Sequence, residues 1–210
     1  MKYILALLLF ICTKPSISQT LAIAIDNLNI LHIGIKNTIS IATSEGLDKD
    51  VIAEIEGAEG EIKKIGNGKY EVYVNQAGTC VIKAYVKDKL VGKTVFRAQN
   101  IPSPEANVGG YKSGEVISLA DLTSQKTVVA EVRNSLLDFD YNVVSYDFIC
   151  DTPDSDPILI HVVGSEFNNL VRISINQHVK SGSTILFDNI KAKGPDNKIR
   201  KLPSLTYHIK

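Results

Sequence analysis

The acidic loop at residues 151–157 is the part of this sequence that most resembles a ligand-binding site. Asp151, Asp154 and Asp156 place three carboxylates within six residues, and Ca²⁺ binds through several carboxylate and carbonyl oxygens. The loop lacks the glycine and the later glutamate of an EF-hand. Because Asp and Pro are also standard turn-forming residues, we interpret the segment as a solvated loop and keep a calcium site as the alternative.

The other polar motifs do not match catalytic patterns. Asp138 and Asp140 share one face of an extended segment, but no polar catalytic neighbour accompanies them, so we interpret them as an exposed edge. The four histidines are not spaced as a metal-binding pair, and the glycine-rich stretch 109–114 departs from a phosphate loop at Tyr111. No G-x-S-x-G nucleophile motif occurs. We therefore predict a protein that is not an enzyme and has no catalytic residue, no metal and no cofactor.

Residues 1–19 have the organisation of a secretory signal peptide. Lys2 supplies the positive start, an unbroken apolar run follows, and the small residues Ser16 and Ser18 precede Gln19. The run is shorter than the roughly 20 apolar residues that span a bilayer. Cys12 leaves a lipoprotein as the alternative, but bulky residues rather than small ones precede it. We expect an exported chain without a membrane span after cleavage.

Composition narrows the range of partners. Basic and acidic side chains balance at 23 each, and removal of a signal peptide would take away Lys2 and Lys14. A surface without excess positive charge argues against nucleic acid and anionic lipid as main partners. The chain has eight Tyr, six Phe and no Trp, and many of these aromatic residues alternate into predicted cores. That pattern disfavours a carbohydrate-binding module, which we keep as a further alternative.

Short alternating segments separated by turn residues predict an all-β protein. In residues 20–101 the predicted strands are Leu21–Ile25, Leu28–Ile33, Thr38–Ala42, Val51–Ile55, Lys69–Val74, Thr79–Lys87 and Val91–Arg97. Seven short strands without a convincing helix are typical of an immunoglobulin-like β-sandwich. No amphipathic segment is long enough to cross over between parallel strands, which excludes a parallel α/β fold.

Pro102 and Pro104 interrupt this pattern, because proline does not fit inside a central strand. We place a domain boundary there and expect a larger, mostly-β domain at residues 102–210 with at most one short helix, a single turn within Val179–Gly182. Its predicted strands are Glu115–Leu119, Thr127–Val132, Asn142–Cys150, Pro157–Val163, Leu170–Ile175, Thr184–Ala192 and Leu205–Ile209. Gly194 opens a predicted turn with Pro195 at its second position.

The two cysteines outside the signal segment are expected to be buried and free. Cys80 alternates with Ile82 and Ala84 on the apolar face of a predicted strand, and Cys150 shares a face with Phe148. Both thiols therefore point inward as small apolar groups. Since they lie in different predicted domains, we expect no disulfide between them.

Residues 28–41 and residues 181–203 carry sequence patterns that resemble those of a known family. The family is GldM, of gliding-motility and type IX secretion proteins of Bacteroidetes, called PorM in non-gliding relatives. Residues 28–41 (LNILHIGIKNTISI) are similar to the opening of a periplasmic domain in that family. Residues 181–203, which include FDNIKAKGPD and RKLP, are similar to its carboxyl terminus. This sequence departs from the family pattern at Thr38, where proline is usual, and at Asn197, where glycine is usual.

The resemblance implies the last two β domains of a periplasmic shaft without the membrane helix that joins a proton-driven motor. In the family, that end of the shaft engages an outer-membrane-associated ring of the secretion machine, and the full-length proteins dimerise. The resemblance thus implies a non-enzymatic scaffold or adaptor with envelope proteins as partners. It also implies a periplasmic or outer-membrane-peripheral location and a homodimer.

Overall fold

The computed structural model describes residues 21–24, 29–44, 48–135 and 137–210. The predicted signal peptide lies outside the described residues. Within the described part, the chain is built from sixteen strands, two α-helices and one short 3₁₀ helix (Asp48–Asp50). In the N-terminal half these are β1 (Leu21–Ala24), β2 (Ile30–His32), β3 (Asn37–Thr43), β4 (Val51–Glu56), β5 (Glu61–Gly66), β6 (Lys69–Tyr73), β7 (Gly78–Val86) and β8 (Lys89–Gln99).

The C-terminal half carries the longer strands and both helices. Its elements are β9 (Glu105–Asn107), β10 (Val116–Ile117), α1 (Leu119–Ser124), β11 (Val129–Glu131), β12 (Asn142–Thr152), β13 (Ser155–Val163), α2 (Asn169–His178), β14 (Thr184–Lys193), β15 (Ile199–Lys201) and β16 (Leu205–Ile209). The all-β fold class is confirmed.

The N-terminal half is a sandwich of two four-stranded sheets, in the orders β1-β3-β6-β5 and β2-β8-β7-β4. Alternation along the strands places Ile39 and Val72 of one sheet and Ile82 and Phe96 of the other in a shared core. Strand β5 was not predicted, since lysines occupy its middle. It is an edge strand, where lysine is common because it discourages pairing with other chains.

The C-terminal half is built on one large sheet in the order β10-β16-β14-β12-β13, with β15 paired to β14. A small β9–β11 sheet and both helices contribute Ala130, Leu122, Val171 and Ile175 to the same core. They cover one face of the large sheet. The opposite face remains open to solvent, as is usual for antiparallel sheets.

Phe187 of β14 is the centre of the C-terminal core. Its ring lies 5.5 Å from Phe148, 5.6 Å from Phe167, 5.7 Å from Tyr146 and 6.2 Å from Tyr207, measured between ring centroids. Aromatic pairs at such separations add to the stabilisation that comes from burial of apolar surface. This cluster joins β12, β14, β16 and the segment before α2 into one unit.

The expectation of at most one short helix in the C-terminal half is wrong, because the described residues of that half contain two, α1 and α2. Leu170–Ile175 was predicted as a strand since Val171, Ile173 and Ile175 alternate with polar residues. It lies instead in α2, where Asn168 caps the helix by accepting a hydrogen bond from the Val171 N–H at 2.9 Å. The predicted strand Glu115–Leu119 is also shorter than expected, since α1 begins at Leu119.

No helical turn forms at Val179–Gly182; Val179 is the C-cap of α2. The predicted turn at Gly194 is confirmed, with the Asn197 N–H donating to the Gly194 carbonyl at 2.9 Å. Cys80 and Cys150 are free and buried, as expected, and lie in separate cores.

The two halves meet where the β2–β3 turn packs on the C-terminal core. Ile35 contacts that core, and the His32 ring lies edge-on to Phe139 with 5.1 Å between centroids. Gly34 has a φ of +78°, and a Cβ there would lie 3.2 Å from the Cβ of Asp196. Both the backbone conformation and this close approach favour glycine at the position.

Charged and aromatic side chains support the C-terminal side of this joint. Asp196 accepts two hydrogen bonds from Arg200, at 2.8 Å and 2.7 Å, and the Arg200 guanidinium lies over the Tyr141 ring at 5.6 Å. The Tyr141 hydroxyl donates to the Pro102 carbonyl at 2.6 Å. The proline-containing connection is thereby fixed to the C-terminal core.

His32 gives this joint a defined pH response. The side chain is buried, and its Nδ1 has no hydrogen-bond partner within the part of the chain that the structure describes. Burial lowers the pKa of His32, and a hydrogen bond with the Asn100 backbone opposes this shift. The unfolded chain therefore binds a proton at higher pH than the folded chain does. Stability from neutral His32 is present above about pH 6.5 and falls as pH drops toward the lower folded-state pKa.

We predict that His32→Gln flattens the decrease in unfolding free energy between about pH 7 and pH 5. Urea denaturation at several pH values measures this slope. The matched control is His178→Gln at an exposed site, which should retain the wild-type slope. Identical slopes for wild type and His32→Gln would contradict the assignment.

Candidate interaction surface

The acidic loop forms the turn between β12 and β13. Asp154 forms an ion pair with Lys180, and the Thr152 and Ser155 hydroxyls are 2.7 Å apart. Asp151 and Asp156 are exposed on the flanking strands. Across the described ranges, no group of three or more His, Cys, Asp or Glu side chains is arranged to hold a metal ion. The loop therefore closes a hairpin by contacts within the chain.

The other residues with suggestive spacing do not converge. Asp138 and Asp140 are exposed on either side of Phe139. Gly109 and Gly110 lie in a tight turn, where the Gly110 N–H donates to the Asn107 side chain at 2.9 Å. These glycines serve the turn between β9 and β10 and form no cradle for a phosphate.

Strand β13 is the structural feature that distinguishes this half of the molecule. It pairs with β12 on one side, and none of the described strands pairs with its other side. The opposite edge strand, β10, has only two residues, whereas β13 has nine. A long unpaired edge presents a row of backbone donors and acceptors to any other extended chain.

The alternation of hydrogen bonds along β13 shows which of its backbone groups are available to pair with another chain. The Gly164 N–H donates to the Val144 carbonyl at 2.8 Å. From the pair Ser145 and Val163 to the pair Cys150 and Ile158, the two strands stay in regular register. In an antiparallel pair, bonded and non-bonded residues alternate. The even-numbered residues from 158 to 164 therefore bond to β12, and Leu159, His161 and Val163 direct their N–H and C=O groups toward the free edge.

Pro157 marks one end of this available edge. Like Leu159, it is one of the odd-numbered residues whose backbone groups face the free edge. An N–H at this position would therefore point outward and not toward β12, but proline has none. Proline in a sheet is restricted to such positions on edge strands and to strand starts and bulges. Pairing by another chain is thus limited to the part of β13 that follows Pro157.

The free edge is apolar on both faces. On the open face, Leu159 is 66% exposed and Val163 is 82% exposed. On the other face, Ile158 and Ile160 are only partly buried against the core. Helix α2, which packs on β12 and β13, has exposed Leu170 and Ile173. On the open face, Leu159 and Val163 lie on either side of His161. Exposed apolar side chains grouped at a sheet edge in this way suit an interaction site.

An apolar row leads from this edge across the open face of the sheet. Leu159 lies opposite Ile149, Ile149 opposite Leu186, and Leu186 opposite Thr206. Directly opposed side chains on one face lie about 5 Å apart. The row therefore extends the apolar surface of β13 over two further strands, β12 and β14, and ends at Thr206 of β16.

A polar network lies beside this apolar row. His161 is hydrogen-bonded to Asp147 at 2.6 Å, and Asp147 accepts from Asn189 at 2.7 Å. Lys201 donates to the Asn189 carbonyl oxygen at 2.9 Å. The hydrogen bonds from His161 and then Asn189 hold the pKa of Asp147 below its usual value. We call β13 after Pro157, together with the apolar row and this network, the β13 surface.

The sequence predicted the strand at Pro157–Val163 but not its role. Apolar residues follow one another along this segment, and such a run is equally consistent with a central strand that is buried on both faces. Only Pro157 indicates an edge strand. The sequence prediction placed this proline at the start of the strand but did not conclude from it that the strand lies at the sheet edge. Asp147, His161 and Asn189 are far apart in sequence, so no spacing motif could indicate their network.

No helix among the described residues is both long and apolar enough to cross a bilayer. Family models match most of the chain: one described as the GldM third domain covers residues 20–99, and one described as the GldM C-terminal domain covers residues 102–210. No curated protein matches.

Two solved structures are similar at 11% identity. They are the Yersinia pseudotuberculosis adhesin InvE, with 90% of this chain and 58% of that chain covered at a TM-score of 0.27, and Salmonella alpha-2-macroglobulin reacted with methylamine. For the second, 91% of this chain and 15% of that chain are covered at a TM-score of 0.31. The present chain thus spans less than two thirds of either protein, and neither likeness bears on function.

We predict that the Asp147 carboxyl titrates below the ordinary value of about 3.9, and that His161→Gln raises its pKa toward that value because the principal hydrogen bond is lost. Carboxyl ¹³C NMR measures the titration. Asp147→Asn should lower the unfolding free energy near pH 7 by roughly 0.5–1 kcal/mol, as for a solvent-screened pair.

The matched control is His208→Gln, which alters another exposed histidine on the same sheet face but leaves Asp147 and Asn189 untouched. This control should leave the Asp147 titration unchanged. An Asp147 pKa that does not respond to His161→Gln would show that the pair does not form in solution.

Proposed function

The chain belongs to the GldM family, and from this premise we propose that it is an exported, non-enzymatic scaffold or adaptor that binds other envelope proteins through the β13 surface. The matched third and C-terminal domains cover nearly all of the chain outside residues 1–19. They are structural, non-catalytic components of an envelope-associated protein. The proposed location is the periplasm or the periphery of the outer membrane.

The observation that carries this proposal is the exposed edge of β13. Extended segments bind exposed sheet edges by adding a strand, with backbone hydrogen bonds for affinity and side-chain contacts for specificity. Leu159 and Val163 remain largely exposed although apolar, and no Asp, Glu, Lys or Arg follows Pro157 in β13 to discourage pairing. A protein that had only to remain monomeric would be expected to protect such an edge.

The two-domain joint supports a scaffold in a second way. His32, Ile35 and Gly34 of the N-terminal half pack on the C-terminal half. Contacts on both sides of the Pro102 connection fix the orientation of the β13 surface relative to the N-terminal sandwich. A fixed orientation suits a protein that holds partners at a defined distance.

We further propose that the partner belongs to type IX secretion or gliding machinery, with an outer-membrane-associated ring component as the first candidate. Family membership supports this proposal, because the resemblance implies such a ring as the contact of the C-terminal domain. The chain is also proposed to form a homodimer, as the resemblance implies. The β13 surface is the proposed contact for the ring.

We predict that purified chain captures a secretion-ring or other outer-membrane-associated protein from native envelope extract, and that Val163→Lys reduces this capture at least fivefold. A lysine on a free edge disfavours strand addition. The matched control is Val116→Lys, which places the same charge on the opposite edge strand, where Val116 is 55% exposed. Quantitative mass spectrometry of the captured proteins is the readout.

Recovery of no envelope protein by wild-type chain would contradict the scaffold function. Equal capture by both variants would retain a scaffold but exclude the β13 surface as its contact. Calcium-dependent capture lost in Asp154→Asn and Asp156→Asn would instead support the calcium-dependent alternative.

A further inference from the structure

We propose that the β13 edge binds a short extended segment of another protein in antiparallel orientation, and that this segment is apolar on both faces, acidic opposite His161 and basic beside Asp156. This inference rests on the proposed scaffold function and adds the chemistry of the partner. It follows from the hydrogen-bond phase, the exposed apolar residues and the charges of β13.

The backbone fixes the length and register of the segment. Leu159, His161 and Val163 each have an N–H and a C=O directed outward, so an antiparallel strand opposite them forms about six hydrogen bonds. Pro157 ends the ladder because it has no donor. The paired region spans residues 159–163, about 17 Å at the usual rise per residue.

The two faces of the edge determine the side chains of the segment. On the open face, a side chain opposite Leu159 extends the apolar row through Ile149. On the other face, side chains opposite Ile158 and Ile160 lie toward the helix-covered side of the sheet, where α2 exposes Leu170 and Ile173. Apolar side chains on both faces therefore remove exposed apolar surface from water, which is the principal source of binding free energy.

Charge complementarity identifies two polar positions in the segment. His161 is 62% exposed in its side chain and is already paired with Asp147, so a carboxylate opposite it would complete a second contact to the same imidazole. Asp156 is exposed and has no ion pair among the described residues. A basic side chain beside it is favourable, since opposite charges on neighbouring strands stabilise pairing.

A second copy of the chain does not provide this pattern. Two β13 edges can use all three outward-facing residues against one another around a two-fold axis only when His161 lies opposite His161 and Leu159 opposite Val163. That register opposes two imidazoles that each already bind Asp147, and like groups opposite one another disfavour pairing once they are charged. Every other two-fold register leaves at least one of Leu159, His161 and Val163 without a partner from this set. A different protein is therefore the proposed occupant.

The test uses the soluble peptide acetyl-Thr-Val-Glu-Ile-Val-Thr-Ser-Lys-amide, titrated into the ¹⁵N-labelled full chain. Its glutamate is designed to lie opposite His161 and its lysine beside Asp156. We expect amide shifts to be concentrated in residues 158–164, and hydrogen exchange at Leu159, His161 and Val163 to slow at least tenfold at saturation.

Matched peptides separate strand pairing from non-specific adsorption. N-methylation of the glutamate and the second valine removes two donors that face β13 and should weaken binding at least tenfold. N-methylation of the first valine and the isoleucine alters outward-facing donors and should weaken it less than threefold. Exchange of the glutamate and lysine should weaken binding about fivefold, because a carboxylate then lies beside Asp156 and none faces His161.

Equal binding by the two N-methylated peptides, or shifts centred outside β13, would overturn the inference. Concentration-dependent shifts of the same amides without peptide would identify a second copy as the occupant and would also overturn it. If the peptide does not bind but Val163→Lys still abolishes capture from envelope extract, the partner chemistry is wrong while the scaffold function stands. If wild-type chain captures nothing, the scaffold function itself fails.

Discussion

One-sided burial of the large sheet is the constraint on which the rest of this structure depends. The aromatic cluster around Phe187 and the two helices seal one face of the sheet. Removal of a ring at the centre of such a core costs about 3–5 kcal/mol, a large part of the 5–15 kcal/mol that stabilises a typical domain. Since this single core holds β12 and β14 in place, the opposite face and the β13 edge do not have to be buried for stability.

The exposed features therefore call for an explanation other than folding. Leu159 and Val163 lose contact with water only if another molecule covers them. The His161–Asp147–Asn189 network is fully formed on the open face without a partner. It fixes the imidazole next to the available backbone groups, so a partner strand would meet a side chain that is already positioned. Preorganisation of this kind reduces the free-energy cost of binding.

Much of the fold follows from local sequence pattern, whereas the β13 surface does not. Alternation predicted most strands because side chains of a half-buried strand repeat every two residues. The same rule failed at α2, where Val171 and Ile175 are buried but Ile173 is exposed. The Asn168 cap and the i, i+4, i+8 spacing of Val171, Ile175 and Val179 carried the helical signal.

The position of β13 at the sheet edge depends on strand order, which alternation cannot reveal. β12 and β14 are separated in sequence by β13 and α2, yet β14 pairs with β12 and leaves β13 outside. The joint between the halves is likewise a tertiary feature. Nothing local to His32 indicates Phe139, which lies more than a hundred residues later.

Hydrogen–deuterium exchange of the β13 amides, in the isolated chain and in the complex captured from the envelope, tests the central claim most directly. We expect rapid exchange at Leu159, His161 and Val163 in the isolated chain, slow exchange at Ile160 and Val162, and protection of all five amides in the complex. Slow exchange of the first three residues in the isolated chain, or their continued rapid exchange in the complex, would contradict it.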